Sequence, residues 1–343
     1  MLEPDDMGLI HRNGANFGPA RGAKRAPLRV ILAGSATLLA MTPWLGRYSG
    51  NADALASFLP LAIPLGLAAL LLPPWQRPGS LRIVLALLAL GVSSTMFWRE
   101  IRGDTAMGGT PETGQSLTLT IVTHNLWVAN ADPEETIASL LASRADVLVL
   151  EEANGRMGPY LSRLEQVYPF GNHCPTGCDV VIRSKWPLAT RVRWRLRDGH
   201  GQPYGPGLMQ TRVLLPDGQS FPLLGIHLPH PTPPGPQRDR IAALGAALAT
   251  MDRQRMILAG DFNLTPWARA MNFMEQSVAP LRRVTRASFS FPARIDGFVW
   301  PAPLLPIDHV WAGPGWETLS TERLPATGSD HYPLRVRLRL RRN

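Results

Sequence analysis

Apolar residues are distributed along this chain in two different ways. Up to about residue 102 they form long uncharged blocks, Val30 to Leu45, Ala54 to Leu72 and Ile83 to Trp98. A membrane-crossing helix asks for about 20 apolar residues. The blocks approach that length, and their ends carry Trp44, Trp75 and Trp98 with Arg29, Arg47, Arg82 and Arg99, the aromatic belt and snorkelling cations of a bilayer interface. The pattern predicts three spanning helices over 30–102. A buried helical hairpin, or a signal peptide cut near Ala52-Asp53-Ala54 ahead of two anchors, would give a similar pattern.

After residue 116 the period changes. Leu117, Leu119 and Ile121 alternate with Thr118, Thr120 and Val122 as in a half-buried strand. Asp132-Pro133-Glu134-Glu135 supplies a cap, a first-turn proline and a capping-box glutamate, opening a helix through Ser143. Further strands are predicted over 147–150, 179–182, 208–215, 223–227, 256–259, 307–311 and 334–340, and helices over 157–167, 237–251 and 267–275. Many of the strands are apolar throughout, which favours sheets covered by helices over an all-β sandwich. Residues 103–115, GDTAMGGTPETGQ, read as a linker with a coil span of about 20 Å. The expected division is a basic tail (1–29), a three-helix anchor (30–102), the linker (103–115) and a catalytic domain (116–343).

Charge refines this picture. The 343 residues carry a net +9, but the first 103 hold ten of the 35 basic and only five of the 26 acidic residues, leaving the remainder at +4. That is too modest to argue for nucleic-acid binding by itself. Arg12, Arg21, Lys24, Arg25 and Arg29 precede the first block, Arg77 and Arg82 lie between the second and third, and only Arg47 lies between the first and second. The N-terminus is therefore expected in the cytoplasm and the catalytic domain outside it, at the cell (inner) membrane. Arg99 and Arg102 run against that rule. Two cysteines, Cys174 and Cys178, exclude a four-thiolate zinc site and leave room for one small-loop disulfide.

Apolar strands run directly into chemically capable residues at Thr123-His124-Asn125, Glu151-Glu152, His227, Gly260-Asp261-Phe262-Asn263 and Asp308-His309, and a sixth group, Gly328-Ser329-Asp330-His331, precedes the last strand. One such residue is most simply a turn former. Six groups at one kind of position would converge on a single cleft, with the oxygen and imidazole donors suited to a hard divalent cation and a phosphoryl group.

In this order and spacing, the sequence resembles the endonuclease/exonuclease/phosphatase family over roughly 117–340. The resemblance rests on GDFN at 260–263, the Asp308-His309 pair and Ser329-Asp330-His331. Asn125, Glu152, His227 and Ser184-Lys185-Trp186-Pro187 add to it, and Glu151 stands where the family usually has glutamine. It implies a four-layer α/β/β/α sandwich and a Mg²⁺ or Mn²⁺ cofactor. With the family as guide, Glu152, Asn125 and Asp330 become metal ligands. Asp261 activates water, Asn263 donates to a phosphate oxygen, and His331, oriented by Asp308, and His227 act on the phosphate side. The three blocks ahead of the domain resemble a membrane-anchored bacterial branch, some of whose members are linked to glycopeptide resistance and to phosphatase action on polyprenyl pyrophosphate. The expected activity is metal-assisted hydrolysis of a phosphate ester or pyrophosphate, and the expected partners are the bilayer and a phosphorylated, lipid-linked substrate. An extracytoplasmic nuclease and a noncatalytic tethered binding module are the alternatives.

Other residues have simpler readings. His124 and His309 are expected to pack, and Asp296 lacks the histidine that follows Asp308. HPTPPGP (230–236) reads as a stiff loop beside His227. Arg282, Arg283 and Arg286 suggest either an anionic-substrate patch or a solvated helix face.

Overall fold

The computed structural model describes residues 25–72, 80–102, 117–172, 178–194 and 208–341. The basic tail ahead of Arg25, Trp75, Arg77, the 103–115 linker and Cys174 lie outside them. Four helices open the described chain: α1 (Arg25–Leu45), α2 (Gly50–Ala56), α3 (Ala62–Leu71) and α4 (Ser80–Arg102). Leu28–Leu45 and Leu81–Arg102 are long and apolar enough to cross a membrane. The second apolar block, expected as one straight span, is broken instead. Gly50–Ala56 and Leu59–Leu71 meet at 59°, so a third span exists only if this bent pair is counted as one. The break falls at Ser57, which caps α2, and at Pro60 in the 3-10 turn Leu59–Leu61, where proline lacks the N–H that would continue the helix.

Small side chains let these helices approach closely. Ala33, Ala69 and Ala86 meet near the start of α1, the end of α3 and the start of α4, so α1 and α4 run parallel and α3 runs against them. Toward the other end, Ala36, Ala40, Ala56, Ala62 and Ala89 pack around Leu59 and reach Trp267, far along the sequence.

The remaining elements are β1 (Thr118–Asn125), α5 (Pro133–Ala142), β2 (Val147–Glu151), β3 (Phe170–Gly171), β4 (Val180–Ser184), β5 (Leu188–Trp194), β6 (Leu208–Leu214), β7 (Ser220–His227) and α6 (Pro236–Leu248). They continue with β8 (Ile257–Asp261), α7 (Arg269–Val278), β9 (Arg282–Arg283), β10 (Arg294–Ile295), β11 (Phe298–Val299), β12 (Asp308–Ala312), β13 (Trp316–Arg323) and β14 (Leu334–Leu340). Two six-stranded sheets form, in the orders β13-β14-β1-β2-β4-β3 and β5-β6-β7-β8-β12-β9. Their inner faces share one core, in which Leu119, Ile121, Val147 and Val149 oppose Leu223, Ile257 and Val310. The outer face of the first sheet is covered by α5 and by the segment Gly155–Gln166. The outer face of the second is covered by α6 and α7. The layers are α/β/β/α, and strands buried on both faces explain the uninterrupted apolar runs.

Asp132 caps α5, its carboxylate accepting from Glu135 N at 3.0 Å. The segment expected as a helix over 157–167 is 3-10 rather than α, with Pro159 inside it. β13 went unpredicted because WETLSTER has too few apolar residues to register as a strand. It pairs only with β14, at the edge of its sheet.

The N-terminal helices bind the sandwich through polar locks. Glu100, near the end of α4, is buried and accepts from Arg283 Nη1 and Nη2, each at 2.6 Å, and from Ala287 N at 2.9 Å. Arg286 Nη1 lies 3.6 Å from the same carboxylate. Arg283 and Arg286 thus hold Glu100 rather than form a substrate patch or a solvated face, while Arg282 is exposed. Asp53 of α2 accepts from Arg269 N and Ala270 N, capping α7, whose own N-cap residue, Ala268, makes no side-chain cap bond. Phe97 completes the joint, with its ring 5.1 Å from Trp267 and 6.1 Å from Phe289.

Removing one partner of a buried ion pair strands the other, at a cost of about 3–5 kcal/mol. Glu100→Ala is therefore expected to lower the Tm of the detergent-solubilised chain sharply, and adding Arg283→Met to recover much of the loss. Equal Tm values for Glu100→Ala and wild type would contradict this joint.

Candidate active site

The site begins as a register effect. β7 and β8 are parallel, with His227 opposite Asp261, and β8 and β12 are antiparallel, with Asp308 opposite Asp261. Three chemically capable residues from distant parts of the sequence therefore stand in one row at one end of the second sheet. In the first sheet, parallel β1 and β2 put Asn125 opposite Glu151, with Glu152 next. The two rows face one cleft.

Gly260 makes the close fit possible. Its φ is +149°, and a Cβ there would lie 1.8 Å from the carbonyl oxygen of Ile226. Only glycine lets β8 sit this tightly against β7, and this explains the first letter of GDFN. Trp127, Glu152 and Asn263, all at the rim, have φ of 59°, 51° and 49°. Asparagine tolerates this region, but tryptophan and glutamate are strained there, a common feature of functional sites. Glu152 is held by two bonds, accepting from Asn125 Nδ2 at 3.1 Å and from Val128 N at 2.9 Å.

Asp261 sits at the centre, 1% exposed. It accepts from Asn125 Nδ2 at 3.0 Å and from Asn263 N at 2.8 Å. His227 Nε2 and His331 Nε2 approach its Oδ2 to 3.8 and 3.9 Å. Each imidazole has its own carboxylate behind it. His331 Nδ1 is 2.8 Å from Asp308 Oδ2, and His227 Nδ1 is 3.0 Å from Asp179 Oδ1. Ser329 joins the last motif to the first, donating to Asn125 O at 2.6 Å and accepting from His331 N at 3.0 Å.

These neighbours set the protonation states. Burial alone would discharge His331, but Asp308, with its hydrogen bond, Asp261 and Asp330 outweigh it and push the pKa up to about 10. His227, likewise opposed by burial, is pushed up to about 9 by Asp179, Asp261 and Glu152. Burial and the Asp308 charge raise Asp261, whereas the imidazolium of His331 overcomes burial and lowers Asp308. Burial raises Asp330. Burial, with the charges of Asp308 and Asp261, holds Glu151 well above the ordinary carboxyl range. A neutral carboxyl offers one donor and one acceptor, much as a carboxamide does, so Glu151 can stand where glutamine is usual. His124 and His309 are fully buried, and burial pushes each down to about 3. His124 Nε2 meets Thr327 Oγ1 at 3.1 Å and His309 Nε2 meets Leu264 O at 2.8 Å, so both serve packing.

Asn125, Glu152, Asp261, Asn263, Asp330 and His331 all line one cleft of about 700 Å³. His227 flanks it through Glu152 and Asp261, and Asp308 lies behind His331. The residues suit a divalent cation. Glu152 and Asp330 bring carboxylates, Asn125 Oδ1 accepts one bond, from Trp127 N at 2.9 Å, and Asp330 Oδ1 is buried with no hydrogen-bond partner among the described residues. Asp261, Asp308 and His331 also offer ligand atoms within 4.8 Å of one another. His331, however, is engaged through Nδ1 with Asp308, whose charge raises its pKa, so the oxygen-rich rim fits a hard cation better.

Asp179 was missed as a site residue. It is the residue before β4, which is antiparallel to β2, so its start lies at the same end of the sheet as the end of β2. Reading the beginnings of antiparallel strands as attentively as the ends of parallel ones would have found it. Asp296, by contrast, belongs to the turn between β10 and β11, with φ of 48°. Cys178 is disulfide-bonded, and Cys174 is the only other cysteine in the sequence.

Two helix-backed sheets with a carboxylate- and imidazole-lined cleft at their shared end describe a phosphate-ester hydrolase that works with a divalent metal. Sequence comparison specifies which kind: residues 122–331 match the Endonuclease/Exonuclease/phosphatase family, and the chain belongs to that family of metal-dependent hydrolases acting on phosphate esters. No curated protein matches it. Solved structures of similar fold include an endonuclease/exonuclease/phosphatase from Beutenbergia cavernae (22% identity, TM-score 0.52, 65% of this chain and 72% of that one). One from Bacteroides vulgatus has 16% identity, TM-score 0.54, and covers 66% and 100% of the two chains. D. rerio TDP2, complexed with single-strand DNA product, has 15% identity, TM-score 0.52, and covers 64% and 98%.

Two outcomes follow from this geometry. Gly260→Ala forces a side chain into the Ile226 carbonyl and is expected to cost more than about 4 kcal/mol, read as loss of folded protein. The raised histidines make stability pH-dependent. Their contribution is complete below the unfolded-state value of 6.5 and disappears as pH climbs through about 9 and about 10. In chelator, the Tm of the wild type is expected to fall steadily over that interval, and that of His331→Asn to fall less. Parallel Tm profiles for the two proteins would refute the assignment.

Proposed function

We propose that this protein is a membrane-anchored phosphatase that cleaves a lipid-linked pyrophosphate such as polyprenyl pyrophosphate. The anchor would be residues 30–102, crossing three times with a broken second span. The catalytic domain, 116–343, would lie outside the cytoplasm at the inner membrane, as in the glycopeptide-resistance-associated branch that the sequence resembles. The observation that carries this reading is the cleft itself, which gathers Asn125, Glu152, Asp261, Asn263, Asp330 and His331, with apolar helices bound directly to its domain.

Glu152, Asn125 and Asp330 would hold the cation, Mg²⁺ in our reading, with Mn²⁺ as a substitute. Bound there, it supplies Lewis-acid stabilisation of charge on a phosphoryl oxygen. Asp261, its pKa raised toward the working range, orients the attacking water and takes its proton as the new P–O bond forms. Asn263 gives Leu228 O one good bond at 2.9 Å and Asp261 Oδ2 a long one at 3.4 Å. The second N–H can turn to a nonbridging phosphate oxygen. His331, held charged by Asp308, donates to another such oxygen as negative charge grows. His227, held charged by Asp179, stands near enough to Glu152 and Asp261 to return a proton to the oxygen that leaves.

Glu152→Gln and His331→Ala are each expected to lower kcat/KM by at least about a hundredfold, assayed below the melting transition of each variant with circular dichroism showing the native fold, and EDTA to abolish turnover until Mg²⁺ is restored. Full activity of either variant, or of the wild type in EDTA, would end this reading. The second reading is a nuclease, in keeping with the D. rerio TDP2 structure and its single-strand DNA product. Full-length protein assayed with Mg²⁺ on single-stranded DNA and on polyprenyl pyrophosphate in liposomes separates the two, since nuclease binding would weaken steeply with salt.

A further inference from the structure

The catalytic domain does not build its cleft alone. Asn51, Ala54, Leu55, Ser57 and Phe58, from α2 and the turn after it, line the same 700 Å³ space as Glu152, Asp261 and His331. The 59° bend is what brings them there. α2 is also fixed, not loosely laid on the domain. Asp53 caps α7, and a Cβ on Gly50 would lie 2.3 Å from Pro234 Cβ, so the start of the helix presses on the proline-rich loop beyond His227. With α2 locked in this way, Leu55 and Phe58 remain 48% and 46% exposed.

Around the cleft the polar and apolar residues differ in kind. Carboxylates, amides and imidazolium come from the strand ends, while Leu55 and Phe58 are joined by Trp127, Val128, Phe291 and Leu305. No arginine or lysine lines the cleft among the described residues. A polynucleotide needs such cations for the phosphates flanking the scissile one; a single phosphate with a long apolar substituent does not. The apolar helix α3 begins at Ala62, just after Phe58, so the apolar wall of the cleft is continuous with an apolar helix.

We infer that the anchor is part of the substrate site: Leu55 and Phe58, with Trp127, Val128, Phe291 and Leu305, receive the apolar chain of a phosphate ester whose phosphate lies among Glu152, Asp261 and His331. This rests on the phosphatase reading above and assigns the residues that select the lipid. Leu55 and Phe58 are specificity-determining and have no part in the chemical step.

The test uses the full chain in nanodiscs with Mg²⁺, measuring phosphate release from butyl and dodecyl pyrophosphate. Wild type is expected to favour the dodecyl ester in kcat/KM, mainly through KM. Leu55→Asn/Phe58→Asn is expected to reduce that preference by about tenfold or more, the worth of about two buried methylenes, and Phe58→Leu to keep it. Partitioning into the bilayer is common to all three proteins and cancels in the comparison. An unchanged preference in the double asparagine variant overturns the inference. A second readout does not depend on turnover. In Phe58→Cys, maleimide labelling should be slowed by dodecyl pyrophosphate but not by inorganic pyrophosphate or a dinucleotide. Equal labelling with all three, or equal protection by the dinucleotide, also overturns it. If neither ester is hydrolysed by the wild type, the phosphatase reading falls, and the labelling result alone decides whether this surface receives an apolar chain.

Discussion

A carboxylate shut away from water organises this molecule. Asp261 is 1% exposed, and charge in such a place must be compensated by hydrogen bonds and opposite charge. Asn125 and the backbone of Asn263 supply the first, and the imidazolium groups of His227 and His331 supply the second. His331 is itself buried and His227 half-buried, and desolvation works against their protons without Asp308 and Asp179 behind them. One buried charge thus demands a chain of others, and that chain lies in or beside the cleft. Its acidic side remains in excess at Glu152 and Asp330, the residues best suited to a cation. Stability and function draw on the same groups.

The same logic joins the helices to the sandwich. Glu100 is an acidic residue at the end of an apolar helix, and exposed to lipid it would be costly. Buried against Arg283 and the amide of Ala287, it becomes a lock. Asp53 satisfies two backbone N–H groups of α7 for which that helix has no side-chain cap of its own. The isolated domain would retain an uncompensated arginine and an uncapped helix, and lose one wall of its cleft. The N-terminal helices and the sandwich pack as a single unit, in which the helix interrupted by Ser57 and Pro60 lines the cleft.

Much was legible in the chain. The double-sided apolar strands, the Asp132 cap, the apolar blocks and the residues at strand ends are all local signals, and local propensity decides them. The sequence motifs named Asn125, Glu152, His227, Asp261, Asn263, Asp308, Asp330 and His331, and these residues lie in or beside one cleft. Less legible were elements with weak periodicity. β13 is polar and lies at an edge, and 155–166 is apolar at helical spacing but tightens into 3-10 geometry. The arginines at 283 and 286 looked like a surface patch because nothing nearby in sequence pairs with them.

What the sequence by itself determined, then, is chemistry and its order: which strands end in carboxylates or imidazoles, where the chain turns apolar enough for a membrane, and where only glycine serves. Tertiary structure alone decided who neutralises whom. Asp179 meets His227 across 48 residues, Asp308 meets His331 across 23, and Glu100 meets Arg283 across 183. Such pairings carry no periodic trace, because they depend on which ends of which strands and helices packing brings together. The membership of residues 51–58 in the cleft is of the same kind. A stretch that reads as half of a membrane span becomes a wall of the site only because its helix bends and is locked onto the sandwich at Asp53.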